Sequence, residues 1–211
     1  MENPVIIFGA GPLGQSAREI FEGNGNVVYG FLDDDKKLHH TIIDELTVLG
    51  ATDDDGFLKL IGKKCEAFIA SDEIRLKKSL AKMLQEVRKV QGVNAIHSKA
   101  VLSSRFTLGH GNMIEAGVVI GPGTELGGYT IIQSGAQIGP GVKIGDYVQV
   151  GSGAVINSGV TIEEESFIGS GAVLVAGIKI GKGARIGAGS VVISDIKAGA
   201  TVFGNPAKSV G

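Results

Sequence analysis

One cysteine, Cys65, occurs in 211 residues. No intrachain disulfide can form, and a reducing, cytoplasmic location is expected. No apolar run approaches the ~20 residues needed to span a bilayer, so no membrane partner is expected. The opening stretch MENPVIIFGAG has no basic n-region and only a short apolar run before glycine, so no signal peptide is predicted. Neither sign of charge is in excess: 20 basic and 22 acidic residues give a net charge of −2, with no long basic run. That excludes nucleic acid as the main partner, since its recognition needs concentrated positive charge. No metal site is expected.

Glycine is abundant instead. Of 34 glycines, 10 lie in residues 1–100 and 24 lie beyond. This shift places a domain boundary near 95–101 and predicts two domains, 1–96 and 97–211. In the second, an aliphatic residue returns at every sixth position from Leu102 to Val192, sixteen times without an insertion. The fourth residue after each is mostly small or β-branched (Val118, Thr124, Ala136, Val142), and the residue directly after is often glycine. A period of six matches neither a lone helix nor a lone strand. It matches a coil of three short flat strands, stacked at roughly 4.8 Å so that each coil pairs with its neighbours. Three hexads make one coil, which puts Ile120, Ile138, Ile156, Leu174 and Val192 in one column of a parallel β-helix.

The first domain begins with an apolar strand, Val5–Phe8, followed by GAGPLG, in which Gly9, Gly11 and Gly14 satisfy G-x-G-x-x-G. A helix is predicted there, with Leu13, Ala17, Ile20 and Phe21 on one face. A second strand then ends at Asp33, Asp34 and Asp35, about twenty residues past the glycines. This spacing is that of a dinucleotide fingerprint, whose glycines let the backbone approach a phosphate at a helix N-terminus. A plain strand-to-helix turn with a solvated acidic loop is the alternative. Farther on, Glu66–Ala70 reads as a strand and 72–91 as a helix with Ile74, Leu80, Leu84 and Val87 inward. The fold class expected is an α/β Rossmann-like domain followed by a left-handed parallel β-helix.

The repeat, with the closing "ATVFGNPAKSV", resembles the hexapeptide-repeat acyltransferases. Together with "GFLDDD", "VLGATDDD", "FIASDEIRLKKSL" and "AIHSKA", it resembles over nearly its whole length the sugar O- and N-acyltransferases. That group acetylates sialic acids or the amino group of nucleotide-linked amino sugars. The resemblance implies a homotrimer, with acetyl-CoA lying between neighbouring β-helices and the nucleotide sugar received by the α/β domain. Carried over, Gly9, Gly11, Gly14, Asp33, Asp34 and Asp35 face the nucleotide or sugar. Gln149, Ser158, Ser170, Ala188, Asn205 and Lys208 line the acyl-CoA site.

The same resemblance exposes a gap. In the family a histidine in mid-repeat is the general base, a second lies nine residues later, and a third sits in the glycine loop. Here those positions fall on Pro140, Gln149 and Leu13. Proline has no titratable group, and glutamine donates a hydrogen bond but moves no proton. Of the four histidines, His39 and His40 read as a solvated loop pair and His97 as a junction residue. His110 lies on a different column from Pro140. Glu115, stacked one coil below Gln133, is a further candidate base, with a polar surface ladder as its simpler account. The expected function is therefore acyl transfer from acetyl-CoA to an amino sugar or sialic acid through an altered site. Amine acceptors are favoured over hydroxyls. A non-catalytic binding or scaffold protein is the alternative, and a dinucleotide-dependent oxidoreductase ranks last.

Overall fold

The structure, a computed structural model, describes residues 3–209. The chain divides into two compact units, residues 1–98 and 99–211.

In the first unit, β1 (Val5–Phe8) is buried throughout, as a continuous apolar run requires of a strand covered on both faces. Helix α1 (Pro12–Gly23) opens with Pro12, where a missing N–H costs nothing. Its buried residues Gly14, Ala17, Ile20 and Phe21 form one stripe at helical spacing. Then come β2 (Val28–Leu32), a hairpin of β3 (Ile42–Ile43) and β4 (Leu46–Gly50), and a short helix α2 (Asp55–Leu58). Strand β5 (Glu66–Ile69) and helix α3 (Ile74–Met83) follow. The sheet order is β3-β4-β2-β1-β5, parallel except for β3. Phe21 of α1 meets Phe68 of β5 edge-on at 5.5 Å, closing the core between helix and sheet.

Two expectations need correction. The second strand stops at Leu32, and Asp33 begins the turn. The helix predicted over 72–91 is α-helical only from Ile74 to Met83, then makes one π-type turn, Leu84–Arg88, and ends at left-handed Lys89 (φ 59°). The wider turn rotates the chain, so Val87 is 67% exposed while Leu80 and Leu84 are buried.

In the second unit each hexad contributes a two-residue strand. Strands eighteen residues apart pair in parallel, as in Val119 with Gln137, Gln137 with Val155, and Val155 with Val173. The aliphatics at the period point inward, and Ile120, Ile138, Ile156, Leu174 and Val192 are all buried. Each such side chain contributes about 1.5–3 kcal/mol by burial. The small residues four places on fill the interior corners. Hydroxyls there are satisfied: Thr124 Oγ1 donates to the Gly139 carbonyl at 3.1 Å and Ser166 Oγ to the Gly181 carbonyl at 3.0 Å. The six-residue register holds to Val192. The last coil is shortened to sixteen residues, bringing Ile196 beside Ile180 and Val202 beside Ile186. An antiparallel hairpin, Thr201–Gly204 with Ala207–Ser209, closes the chain.

The outward strand positions give each sheet its own surface. One carries Val101, Val119, Gln137, Val155, Val173 and Val191. A second carries charge, with Glu125–Lys143 paired at 3.0 Å and Glu163–Lys179 at 2.6 Å. On the third, the Arg185 guanidinium lies 4.9 Å from the Phe167 ring centroid. The Glu163–Glu165 run is tied to the next coil through Lys179 and Lys182. Among the described residues no helix is long and apolar enough to cross a membrane.

Candidate functional site

The sheet order sends the chain from β1 to one side (β2, then β4) and back to the other (β5). Ligands in parallel sheets bind outside the carboxyl ends of the strands at such a reversal. A cavity of about 330 Å³ lies there. It is lined by Phe8, Gly9, Gly11, Pro12 and Leu13 after β1, Asp33 and Asp34 after β2, and Thr52 after β4. Ala70, Ser71 and Asp72 after β5 and Leu76 and Leu80 of α3 complete it.

The three glycines do three different things. Gly9 has φ +105°, and a Cβ on it would lie 2.5 Å from the Ala70 carbonyl oxygen. At Gly14 a Cβ would collide with the Gly9 carbonyl, so this glycine sets how closely helix and turn pack. Gly11 has an ordinary φ of −71° and open space around it. It is the glycine that leaves room for a ligand beside the first turn of α1.

The aspartate turn is held from several directions. Asp33 accepts from the Ala10 N–H at 2.8 Å and from the Asp35 N–H at 2.9 Å. Its carbonyl oxygen accepts from His39 Nε2–H at 2.7 Å. His39 is therefore no solvated loop residue; it latches the turn, while His40 is exposed. Asp34 Oδ1 accepts both the Thr52 N–H (2.9 Å) and the Thr52 hydroxyl (2.8 Å). Asp33 and Asp34 reach the cavity, whereas Asp35 is not among its lining residues. Among the described residues no Lys or Arg lines it, so a phosphate there would be met by backbone N–H groups, while the carboxylates suit hydroxyl and N–H donors. Beside it, Lys77 of α3 is 1% exposed. Burial pulls its ammonium down to about 8, partly offset by the Asp72 carboxylate. Sequence reading missed Lys77 because of its residue type, although its spacing from Ile74, Leu80 and Leu84 places it on the inward face of the helix.

In the repeat, Pro140 is exposed at the corner after Ile138. Its carbonyl accepts the Gly159 N–H at 3.0 Å, and its ring takes no part in that bond. His110 is exposed on the corner after Leu108, a different column. Glu115 accepts from both the Ser134 N–H (2.9 Å) and the Ser134 hydroxyl (2.7 Å), which fastens one coil to the next. Gln149 is half-buried at an outward position between Ile131 and Phe167. Ser158, Ser170, Ala188, Asn205 and Lys208 are exposed. Ser152, Ser170 and Ala188 share one corner with the left-handed glycines Gly153, Gly171 and Gly189, each with open space where a Cβ would stand. This is a smooth strip of small residues against which a linear ligand can lie. Lys208 stands on the closing hairpin, paired in register with Phe203.

The first unit matches the PglD N-terminal domain over residues 4–84. The second matches the bacterial transferase hexapeptide repeat over residues 123–158 and 159–194. No curated protein matches the chain by sequence. Among solved structures, perosamine N-acetyltransferase from Caulobacter crescentus, a histidine-to-asparagine variant with CoA and GDP-perosamine, is 29% identical. The match covers 100% of this chain and 98% of that one, with a TM-score of 0.89. The acetyltransferase domain of PglB from Neisseria gonorrhoeae, with acetyl coenzyme A, shares the fold at 24% identity and a TM-score of 0.88, covering 100% of both chains. WeeI from Acinetobacter baumannii does so at 24% and 0.82, over 98% of this chain and 99% of that one. The chain thus joins a PglD-type N-terminal domain to a bacterial transferase hexapeptide repeat, a fold it shares along its whole length with these solved structures.

Proposed function

We propose that this protein transfers an acetyl group from acetyl-CoA to the amine of a sugar, nucleotide-linked or free, through a site that lacks the family's histidine base. Sialic acid is a less favoured acceptor. The observation that carries the reading is the joining in one chain of a glycine-loop cavity with carboxylates and an uninterrupted hexapeptide helix. The 29% identical relative, bound to CoA and GDP-perosamine, supports both ligands. The strip of Ser152, Ser170 and Ala188 with Lys208 fits a pantetheine arm and its phosphates, and Ser158 and Asn205 are assigned to the same ligand. A cytoplasmic location, expected from the single cysteine, accords with that donor.

In the reaction an acceptor nitrogen attacks the thioester carbonyl, a C–N bond forms, the C–S bond breaks, and the amine's proton ends on the departing thiol. We place the centre at the corner bearing Pro140. With no base there, Gln149 contributes a hydrogen bond to the acyl oxygen and positioning carries the rest. A missing general base costs roughly 10²–10⁴ in rate. A neutral amine is nucleophilic before it loses its proton, a hydroxyl much less so. The altered corner thus favours N- over O-acylation.

The valine surface supports association of three copies. Val101 is 63% and Val119 37% exposed on a flat sheet, where a polar face would otherwise be expected. Sedimentation of wild type and of Val119→Glu tests this, with a trimer expected for the first only.

A scaffold without catalysis is the second reading, favoured by Pro140 itself. Calorimetric titration with acetyl-CoA, followed by release of free thiol with amino-sugar nucleotides, separates the two. Micromolar binding and acceptor-dependent thiol release support the enzyme. Absence of binding at millimolar acetyl-CoA rejects it.

A further inference from the structure

We propose that Arg185, braced on Phe167, joins Lys208 in holding the diphosphate of acetyl-CoA. The inference rests on the second unit being the seat of the acyl donor. Charge is unevenly spread along that unit. Residues 166–209 contain five basic side chains and one acidic one, Asp195. Two of the five, Lys179 and Lys182, are answered by Glu163, Glu164 and Glu165 of the preceding coil. Arg185 has no carboxylate partner among the described residues, and its guanidinium lies 4.9 Å from the Phe167 ring centroid. A ring under a guanidinium fixes its plane and leaves the N–H edge for an anion.

The place of this cation follows from the register of one sheet. Gln149, Phe167 and Arg185 stand opposite one another on successive strands, and Arg185 pairs with Thr201 of the closing hairpin. Val202 is buried between exposed Thr201 and Phe203, so those two face outward, and Lys208 opposite Phe203 shares their face. At roughly 4.8 Å per strand, Arg185 stands about 10 Å from Gln149, and the strand of Lys208 about 19 Å. The pantetheine arm from sulfur to the first phosphorus is about as long as four residues of extended chain, roughly 14 Å. With the acyl oxygen at Gln149, the diphosphate therefore falls between the two cations, within reach of both side chains. The arm follows the strip of Ser152, Ser170 and Ala188, each two residues past the end of a strand in this sheet. An arginine fork takes two phosphate oxygens in parallel, and the lysine adds a point charge.

The test is calorimetric titration of the full-length protein, wild type and Arg185→Met, with acetyl-CoA, its 3′-dephospho analogue and S-acetylpantetheine, which has no phosphate. Arg185 is exposed and its bond to the Ala200 carbonyl comes from the main chain, so the variant should fold as wild type does. Acetyl-CoA and the dephospho analogue should each bind Arg185→Met about 10–100-fold more weakly, the worth of hydrogen bonds between charged groups. S-acetylpantetheine should bind the two proteins alike. Lys208→Met should repeat the pattern, and Arg185→Lys should recover part of the loss, since it keeps the charge without the fork. Equal affinity of wild type and Arg185→Met for acetyl-CoA overturns the role of Arg185. A loss with acetyl-CoA but not with the dephospho analogue moves Arg185 to the 3′-phosphate and overturns the diphosphate assignment. A matching loss with S-acetylpantetheine traces the effect to the seat of the arm and overturns it as well. If acetyl-CoA at millimolar concentration fails to bind even the wild type, the donor reading of the second unit falls and this inference with it.

Discussion

Tyr147 stacks on Tyr129 with ring centroids 5.5 Å apart and planes 7° from parallel. Both occupy the left-handed corner of their coils (φ 59° and 57°), as does Glu165 on the next coil (φ 64°), whereas Gly111 and Gly183 hold that corner elsewhere. A side chain in this conformation costs about 1–2 kcal/mol, and the ring pair returns about 0.5–1.5 kcal/mol. Tyr147→Gly should therefore leave stability within about 1 kcal/mol of wild type. Gly111→Ala should be far worse, because its new Cβ would lie 2.5 Å from the Tyr129 ring. Strain and overpacking together predict a loss of about 2–5 kcal/mol. Gly171→Ala, with similar φ and open space, carries the strain alone. Urea denaturation of the three variants should rank them Gly111→Ala, Gly171→Ala, Tyr147→Gly, from most to least destabilised.

The fingerprint glycines separate folding from binding. Gly9→Ala and Gly14→Ala each drive a Cβ into backbone, and Gly9 also requires positive φ. Both should lose several kcal/mol of stability, within the range seen for backbone strain and overpacking (about 1–3 kcal/mol each). Gly11→Ala meets nothing within 4 Å at an ordinary φ, so its melting temperature should hardly move. Its methyl group intrudes on the space that a nucleotide needs, and affinity for a nucleoside diphosphate should fall about tenfold, a penalty near 1.4 kcal/mol. A Gly11→Ala protein that binds nucleotide as well as wild type would show that the ligand does not approach this turn.

Lys77 makes stability depend on pH in an unusual direction. Its folded pKa, about 8, lies below the unfolded value of 10.5. Between these values the unfolded chain holds a proton that the folded one has released, so stability rises with pH across that window and is flat for this group below it. The full span corresponds to about 3 kcal/mol. Urea midpoints from pH 7 to 10 should climb for wild type relative to Lys77→Met. At pH 7 the methionine variant should equal or exceed wild type, since a well-packed apolar side chain replaces a buried charge and Asp72 remains exposed. Parallel pH profiles for the two proteins would mean that the ammonium is better solvated than its burial indicates.

What was legible in the sequence follows what is periodic. The β-helix could be read position by position because stacking every eighteenth residue punishes any slip in register, from Leu102 to Val192. Beyond Val192 the shortened coil follows no period, and nothing in 193–200 announced it. In the first unit the glycine loop was readable because steric demand singles out Gly9 and Gly14. The β3–β4 hairpin was not: its two-residue turn is Asp44-Glu45, at φ 45° and 73°, in place of the Asn-Gly that marks such turns. The latch from His39 to the Asp33 carbonyl and the burial of Lys77 are tertiary facts. The first closes a loop of six residues that has no period, and the second lies at inward helical spacing but was masked by the polar type of the residue. Asp33 and Asp34 line the cavity after β2, with oxygens that accept from the protein's own backbone N–H groups.

The corner at Pro140 offers the sharpest trial of the catalytic reading. The residue is exposed, and the corner is held by its carbonyl oxygen rather than its ring, so histidine can replace it without disturbing the coil. Pro122 stands at the equivalent corner one coil earlier, also exposed, with its carbonyl accepting the Gly141 N–H at 2.9 Å. If Pro140 marks the reaction centre, Pro140→His should raise acetyl transfer to an amino-sugar nucleotide by about 10²–10⁴, the worth of a general base. The gain should appear in kcat and titrate with an imidazole near pH 6.5, since only the neutral ring accepts a proton. Pro122→His should do neither. Thiol-release kinetics on the three proteins decide the matter. Equal rates for both variants would move the reaction away from this corner, whereas a gain confined to Pro140→His would mean that the groove, the donor and the acceptor were in place all along and only the base was absent.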